Sequence, residues 1–377
     1  MARILPQISA LAPYSPGLSI AEIQERHNLA TVIKLASNEN PLGASPLAQE
    51  AIRRNAGLAF RYPQGGNPRL VRALAARHGA DPGTVILGNG SDEIIDLLVR
   101  ITAQPGRHNI VCFEPCFSIY PIQAQIQAVE TRRQPLNPDF SFDFGSLASL
   151  VDSDTRLVFI TTPDNPSGYC PQPAEVLDFA RRLALDAPDA LLVIDEAYMD
   201  FHENEAEASL LARGQLPPNA LALRTFSKSH GLAGLRIGYG IAPANIASGF
   251  WRARLPFSLN ILAEEAALAA LGDEAFREAT LAAVKSGREA LAAGLRKLGC
   301  LVFPSQANFL MFRLPDGFSA NDCFESLLAQ GIIIRPLKSY ALPDYLRVSV
   351  GSDRENRLFL AAMADFLAGN ENARNHN

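Results

Sequence analysis

Five short apolar runs between residues 84 and 229 each end in a polar turn, and this alternation constrains the fold more than any other feature. The runs are rich in Val, Ile, Leu and Phe, which is typical of strands buried on both faces of a parallel sheet. Helical stretches such as 92–103 and 174–185 lie between them. The runs occur in the segments TVILGNGS, NIVCFEP, RLVFITTPDN, ALLVIDEAY and ALALRTFSKS. The pattern predicts an α/β fold with a mostly parallel sheet covered by helices, which binds ligands at the carboxyl ends of its strands.

The pattern changes after Trp251, where Ala-rich and Leu-rich helical stretches are followed by short strands and a last helix. A chain of 377 residues is also longer than one hydrophobic core usually fills. We therefore predict a large domain over residues 40–255. Residues 1–39 and 256–377 together should form a smaller α+β domain, with a frayed polar end from residue 369.

Composition and charge argue against several classes of protein. A net charge of −5 does not favour nucleic acid or an anionic membrane as the main partner. No apolar run reaches the roughly 20 residues that span a bilayer, and prolines interrupt the N-terminal segment where a signal peptide would be continuously apolar. The five cysteines are scattered without a CxxC pair, so we expect neither disulfides nor a metal site. These features predict a soluble, cytoplasmic protein.

Polar residues at the ends of the predicted strands form a candidate site. Lys228 follows a strand, and a lysine that burial and positive neighbours deprotonate can attack an aldehyde to form a Schiff base. Asp195 ends another strand and needs a positive partner, such as the protonated ring nitrogen of pyridoxal 5'-phosphate (PLP). Tyr198 and Asn165 could donate to the ring oxygen of PLP, and Phe117 could stack on its ring. Each residue alone is explained equally well or better by a surface, turn or core role, so the prediction depends on the combination.

The run GNGSD between a strand and a helix is a candidate phosphate site. Gly90, Ser91 and Asp92 are small or lie at the helix start, where free N–H groups can hold an anion. The run lacks the third glycine of a dinucleotide fingerprint and the Gly-Lys-Ser/Thr of a P-loop. Ser227 and Arg236 flank the lysine and could supply a hydroxyl and a guanidinium to the same phosphate.

These motifs together resemble those of the fold-type I PLP-dependent aminotransferases. The run SKSHGLAGLRIG, which starts at Ser227, resembles the lysine motif of that family. The segments Asn165-Pro166-x-Gly168 and Asp195-x-x-Tyr198 and the Gly-Ser-Asp turn resemble its other markers, in the same chain order. The resemblance spans roughly the whole chain. It implies a fold-type I transferase with Lys228 as the catalytic residue, PLP as cofactor, and an amino donor and a 2-oxo acid as substrates.

Within that family the chain is most similar to the histidinol-phosphate aminotransferases, because APYSPG, KLASNENPLG, RYP and LRVSVG resemble their markers. The resemblance implies a homodimer in which Tyr62 of RYP reaches the cofactor phosphate of the partner subunit. It also implies that Arg347 of LRVSVG binds the substrate carboxylate, for which a bidentate guanidinium is well suited. Tyr14, Asn38 and Asn40 are candidate substrate contacts, with capping or turn roles as the alternative.

The resemblance implies transfer of the amino group of L-histidinol phosphate to 2-oxoglutarate, in L-histidine biosynthesis. Three alternatives stay open: an aromatic amino-acid aminotransferase, a phosphothreonine-type PLP decarboxylase, and a PLP-binding regulator, which would need a DNA-binding domain. Asp164 stands where many relatives carry asparagine, and Ser229-His230 where a small residue and an aromatic are common. We expect Asp164 to be a turn variant and His230 to serve packing or a local hydrogen bond.

Overall fold

The computed structural model describes residues 3–11 and 18–374. Its strands are β1 (Ile33–Lys34), β2 (Val85–Asn89), β3 (Asn109–Glu114), β4 (Glu130–Pro135), β5 (Thr155–Thr161), β6 (Leu191–Asp195), β7 (Ala220–Thr225), β8 (Ile237–Ile241), β9 (Leu301–Val302), β10 (Phe309–Arg313), β11 (Ile332–Ile333), β12 (Arg335–Pro336) and β13 (Tyr345–Ser349). Its helices are α1 (Pro6–Ser9), α2 (Ile20–His27), α3 (Pro46–Asn55), α4 (Pro68–His78), α5 (Gly90–Thr102), α6 (Ile119–Ile126), α7 (Phe144–Ser149), α8 (Pro173–Asp186), α9 (Glu205–Ala208), α10 (Ala244–Ala253), α11 (Ile261–Leu271), α12 (Glu274–Lys297), α13 (Ala320–Ala329) and α14 (Asp353–Arg374). Short 3₁₀ turns occur at Ala56–Leu58, Pro82–Thr84, Met199–Phe201, Ala233–Leu235 and Lys338–Tyr340.

The large sheet has seven strands in the order β2–β8–β7–β6–β5–β3–β4. All neighbouring strands run parallel except β8, which is antiparallel to both β2 and β7. The predicted α/β class with a mostly parallel sheet is therefore confirmed. The five apolar runs correspond to β2, β3, β5, β6 and β7, whereas β4 and β8 were not among the predicted strands.

Both faces of this sheet are buried, which explains why its central strands are mostly apolar. Val193 of β6 packs in one hydrophobic cluster with Phe250 of α10. Its neighbours Leu192 and Ile194 pack on the other face with Phe179 of α8. Because successive side chains of a strand point to opposite faces, a strand covered on both sides has no polar alternation. Burial of each such side chain contributes roughly 1.5–3 kcal/mol.

A second sheet, in the order β12–β13–β10–β9, is antiparallel throughout and packs against α12, α13 and α14. Its core includes Phe312 and Phe359, and Leu35 from the N-terminal part of the chain joins it. Strand β1 pairs in parallel with β11, so the segment before residue 36 is attached to this smaller unit. Helix α14 continues to Arg374, so the prediction that the chain frays from residue 369 is wrong for residues 369–374.

The boundary between the two units needs one adjustment. Helix α11, which follows the predicted boundary at residue 256, packs against α3. Its Ala263 and Ala267 share a hydrophobic cluster with Leu70 and Leu87 of the large unit. We therefore propose that the second boundary lies after α11, and that 1–39 and the chain from α12 onward form the smaller domain. Within the described residues, no helix is both long and apolar enough to cross a membrane.

Candidate active site

A cavity of about 260 Å³ lies at the carboxyl ends of the parallel strands, where open α/β sheets bind ligands. Its wall contains most of the residues predicted from the sequence: Ser91, Asp92, Phe117, Asn165, Asp195, Tyr198, Ser227, Lys228 and Arg236. Residues that the sequence reasoning missed complete the wall: Ser37, Glu39, Thr161, Ala197, Thr225 and Ala233. The strand ends therefore bring residues far apart in the chain to one place, as the sequence predicted.

Lys228 follows β7 and points its amine at this cavity. Its Nζ donates a hydrogen bond to the Ser37 carbonyl oxygen at 3.1 Å and lies 5.6 Å from the centre of the Tyr198 ring. Burial, reinforced by the positive charge of Arg347, lowers the pKa of the Lys228 amine to about 8. The amine can therefore exchange a proton near neutral pH, as a nucleophile or general base must.

Asp195 ends β6, and its carboxylate is almost fully buried. Its Oδ2 accepts the Tyr120 hydroxyl at 2.7 Å, and its Oδ1 accepts the Ala197 backbone N–H at 3.1 Å. Burial raises the pKa of this carboxyl group to about 6, although the hydrogen bond from Tyr120 opposes the shift. A buried carboxylate with two neutral donors is suited to a cationic partner in the cavity.

Tyr120 is the main functional residue that sequence reasoning missed. It lies in α6, three residues after Phe117, and the two rings meet edge to face with centroids 5.6 Å apart. Its hydroxyl also lies 2.7 Å from Thr161 Oγ1, so the two strand-end residues Thr161 and Asp195 are joined through it. Its position in an ordinary apolar stretch gave no signal, because the strand that brings Asp195 to it is 75 residues away in sequence.

The start of α5 and Arg236 form the candidate phosphate site. Gly90 has a φ of +78°, which favours glycine, and a Cβ atom there would lie 2.5 Å from the Arg236 guanidinium. The Gly90 N–H donates to the Arg236 carbonyl at 3.0 Å, and Arg236 Nη2 pairs with Asp92 at 3.1 Å. Ser91 and Ser227 line the same end of the cavity. Helix N–H groups and a guanidinium together form an anion site.

Arg347 lies on β13 of the smaller unit and reaches the edge of the cavity through Asn165. Its Nη1 donates to Asn165 Oδ1, and its Nη2 donates to the Ala36 carbonyl at 3.0 Å. Its Nε is buried without a hydrogen-bond partner among the described residues. The guanidinium is therefore held by neutral acceptors only, and its charge is available to an anion.

Tyr198 is oriented by a neighbouring amide. Asn38 Oδ1 accepts the Ser349 hydroxyl at 2.9 Å, so its Nδ2 faces Tyr198 and donates to the phenolic oxygen at 3.0 Å. The hydrogen of the Tyr198 hydroxyl is thus not used in that contact. Burial raises the pKa of Tyr198, and the phenol is a neutral donor at physiological pH. Asn38 therefore supports the site through Tyr198.

Tyr62 and Asn40 do not line the cavity, although both were predicted to belong to the site. Tyr62 is 80 % exposed and stacks on Phe257, with ring centroids 4.8 Å apart. Tyr14 lies outside the described residues. The amide of Asn40 donates to the carbonyl oxygens of Lys228 and Ser229 at 3.3 and 2.8 Å.

Two of the missed wall residues, Ser37 and Glu39, belong to the segment KLASNENPLG. They lie on either side of Asn38, whose φ of +55° bends the backbone, and both line the cavity. Glu39 also pairs with Lys34 at 2.9 Å. In the part of the chain that the structure describes, no group of three His, Cys, Asp or Glu residues could hold a metal ion.

A family model described as aminotransferase class I and II matches residues 30–363 of the chain. The chain belongs to this family. The aminotransferase is 57 % identical to the histidinol-phosphate aminotransferase of Nitratidesulfovibrio vulgaris (strain DP4), over 97 % of this chain and 96 % of that relative. It is 41 % identical to histidinol-phosphate aminotransferase 2 of Methylococcus capsulatus, over 95 % and 96 %.

Solved structures agree with this assignment. The crystal structure of histidinol-phosphate aminotransferase from Sinorhizobium meliloti in complex with pyridoxal-5'-phosphate superimposes on the aminotransferase with a TM-score of 0.86. The two share 26 % identity, and the match covers 98 % of each chain. The fold-type I architecture predicted from the motifs is therefore confirmed.

Proposed function

We propose that this aminotransferase uses PLP to transfer the amino group of L-histidinol phosphate to 2-oxoglutarate, as a step of L-histidine biosynthesis. Relatives that carry the name histidinol-phosphate aminotransferase match nearly the whole chain at up to 57 % identity, which supports the substrate. The observation that carries the chemistry is the cavity in which a lysine with a lowered pKa and a buried carboxylate, Lys228 and Asp195, line the same wall.

The residues of the cavity fit PLP at both ends. Asp195 is a buried carboxylate with two neutral donors, and a protonated pyridine nitrogen would give it the positive partner that it lacks. At the other end, Gly90, Ser91, Ser227 and Arg236 provide the close backbone approach, the hydroxyls and the guanidinium that a phosphate needs. When bound, PLP supplies an aldehyde for amines and a ring that withdraws electrons from the substrate carbon.

The chain's own residues would orient the ring and move protons. We assign the ring oxygen to the Tyr198 hydroxyl and the Asn165 amide, and the ring face to Phe117, because all three line the cavity. Lys228 Nζ would hold the cofactor and then act as the general acid–base that removes and returns the substrate proton. Its pKa of about 8 lies close enough to neutral pH for both directions.

Arg347 is the proposed site for the anionic end of a substrate. Its described partners are the side-chain oxygen of Asn165 and the carbonyl of Ala36, neither of which carries a charge. A buried cation in that position favours a carboxylate, as in 2-oxoglutarate, or a phosphate, as in the proposed amino donor.

We also propose that the enzyme is a cytoplasmic homodimer. Large apolar side chains are exposed at the contact between Tyr62 and Phe257 and beside it in the sequence: Phe60 is 74 %, Leu255 70 % and Phe257 47 % exposed. Such a patch supports a protein contact, and a second copy would bring Tyr62 toward the partner's phosphate site. The five cysteines are free thiols, which suits a reducing compartment. Sedimentation velocity of wild type and Phe257→Asp tests the dimer, and a wild-type monomer would refute it.

A single-turnover experiment tests the amino donor. The PLP-loaded enzyme is mixed in turn with L-histidinol phosphate, phenylalanine, glutamate and phosphothreonine, and the visible absorption of the cofactor is followed. We expect rapid loss of that absorption with histidinol phosphate and slow loss with phenylalanine. Faster conversion by phenylalanine would indicate an aromatic aminotransferase, and release of carbon dioxide from phosphothreonine would indicate a decarboxylase.

A further inference from the structure

The backbone that follows Lys228 is held from two sides by side chains outside the cavity wall. We propose that Ser229 and Asn40 are positioning residues, which fix this backbone so that the Lys228 amine points into the cavity. Asp200 anchors Ser229 in this arrangement. The inference rests on the proposed function, because that function gives the lysine its role.

Asn40 holds the first side. Its Nδ2 donates to the carbonyl oxygens of Ser229 and Lys228, at 2.8 and 3.3 Å, and lies 3.2 Å from the hydroxyl of Thr280 in α12. Its Oδ1 accepts the backbone N–H of Leu42 at 2.9 Å. Because both ends of the amide are engaged, the side chain cannot rotate without losing several of these bonds. Asn40 thus fixes two consecutive backbone carbonyls, those of Lys228 and Ser229, with one side chain.

Ser229 holds the second side. It is 1 % exposed, and its hydroxyl donates to the carboxylate of Asp200. Burial alone would raise the pKa of Asp200, but the charge of Arg224, whose Nη1 lies 2.8 Å away, acts together with the Ser229 hydrogen bond and other nearby positive charge to lower it. Asp200 is therefore ionised at neutral pH, and a hydrogen bond to an ionised acceptor is stronger than one between neutral groups. Arg224 in turn binds Glu196 and Glu205, so the anchor belongs to a larger buried ion network.

The same bond assigns a role to His230. Its Nδ1 lies 3.0 Å from the Ser229 hydroxyl oxygen, and burial lowers the pKa of the ring to about 4, so the ring is neutral. Since the hydroxyl hydrogen is directed to Asp200, Nδ1 must carry the ring hydrogen and donate it. His230 then supports Ser229 and packs on Phe226, with centroids 4.7 Å apart, as the sequence led us to expect.

The amine of Lys228 is held by the same chain segment as its backbone. Ser37, whose carbonyl accepts Nζ at 3.1 Å, is only three residues before Asn40. If the backbone tether is released, the amine can move out of the buried position near Arg347 that lowers its pKa. Burial and the charge of Arg347 disfavour the protonated form of the Lys228 nitrogen, whether it is a free amine or an imine, so loss of either tether should raise the pKa of this nitrogen.

The test compares Ser229→Ala and Asn40→Ala with a matched control, Ser209→Ala. Ser209 is fully buried and its hydroxyl bonds Glu196 at 2.8 Å within the same ion network. Among the described residues its hydroxyl bonds only Glu196, Arg224 and the Ala212 N–H, none of which lies in the lysine loop. In each holoenzyme the visible absorption of bound PLP is titrated with pH, which reports the proton on the imine nitrogen that joins Lys228 to the cofactor, without reference to activity. We expect the midpoint to rise by about half a pH unit or more in Ser229→Ala and Asn40→Ala, and to stay unchanged in Ser209→Ala.

Thermal denaturation of the four proteins shows whether Ser229→Ala and Ser209→Ala lose similar stability. If Ser229→Ala does not fold, the test uses Asn40→Ala alone. Midpoints that stay at the wild-type value in the folded tether variants would overturn the positioning role. An equal shift in Ser209→Ala would also overturn it, because the ion network as a whole would then be responsible. If wild type gains no visible absorption with PLP, the proposed cofactor is wrong and this inference falls with it.

Discussion

Replacement of Asp195 by asparagine should stabilise the protein without cofactor and weaken cofactor binding at the same time. Burial raises the pKa of this carboxyl group to about 6, above the ordinary value of 3.8 that it regains on unfolding. The unfolded state therefore gives up its proton first as the pH rises. Stability from this group falls between about pH 4 and pH 6, and the ionised carboxylate destabilises the fold by a constant amount at higher pH.

The magnitude follows from the two pKa values. Their difference, about 6 less 3.8, is about 2.2 units, which corresponds to about 3 kcal/mol at pH 8, about half of that at pH 5 and under 1 kcal/mol at pH 4. Asparagine can keep the local bonds. Its oxygen can accept the Ala197 N–H, and its amide can donate to the Tyr120 hydroxyl, whose own hydrogen then goes to Thr161. The expected gain is therefore close to the full electrostatic penalty.

Urea unfolding of the cofactor-free wild type and Asp195→Asn at pH 5 and pH 8 checks the first part. We expect a larger gain in free energy of unfolding at pH 8 than at pH 5. Fluorescence titration with PLP checks the second part, and the dissociation constant should rise roughly 10–100-fold because a charge-assisted contact worth about 1.5–3 kcal/mol is lost. The reasoning is refuted by a gain that is equal at the two pH values, or by no gain at all.

Four further changes test other parts of the site. Tyr120→Phe keeps the ring that stacks on Phe159 but removes a donor from Asp195, so urea unfolding of the cofactor-free protein at pH 8 should show a loss of about 1.5–3 kcal/mol, and unchanged stability would contradict the bond. Lys228→Ala should abolish amino transfer in a coupled glutamate assay, and turnover at the wild-type rate would disprove the assigned role. Arg347→Lys should raise the KM for 2-oxoglutarate about 10–100-fold without changing PLP affinity, because a single ammonium cannot replace a two-pronged guanidinium; an unaltered KM would place the anion elsewhere. Gly231→Ala should lower the thermal midpoint or prevent folding, since its φ is +68° and a Cβ atom would collide with the Gly43 carbonyl, and a wild-type midpoint would show that this contact is soft.

The central strands and the residues at their ends could be predicted from the sequence, because burial on both faces leaves a visible apolar run and the polar turn follows directly. Strand β4, with the sequence ETRRQP, lies at the sheet edge and has exposed positions, so no apolar run marks it. Strand β8, with the sequence IGYGI, contains two glycines. Gly238 packs against the backbone of Ser91, where a side chain would collide, and this requirement comes from tertiary contact alone.

The site residues divide in the same way. Lys228 and Asp195 follow apolar strands and could be recognised locally. Tyr120 and Asn40 act through partners 75 and 188 or more residues away in the chain, so their roles depend on how the strands and loops meet. For Asn40 the motif suggested a substrate contact, but its amide is used by the backbone of the lysine loop. Motif membership identified that residue as important, and only the three-dimensional structure could say for what.

The stretch from Ala36 to Asn40 has a consequence for how far this enzyme can be altered. Ala36 meets Arg347 through its carbonyl, Ser37 meets the catalytic amine, and Asn38 and Asn40 meet two different parts of the active-site wall. The stretch therefore connects the two sheets with a fixed spacing, because residues one or two positions apart must reach different partners. One inserted residue would shift every residue after it along the stretch and misplace the contacts that those residues make. We expect inserted tags or loops to be tolerated better at exposed turns such as 212–215.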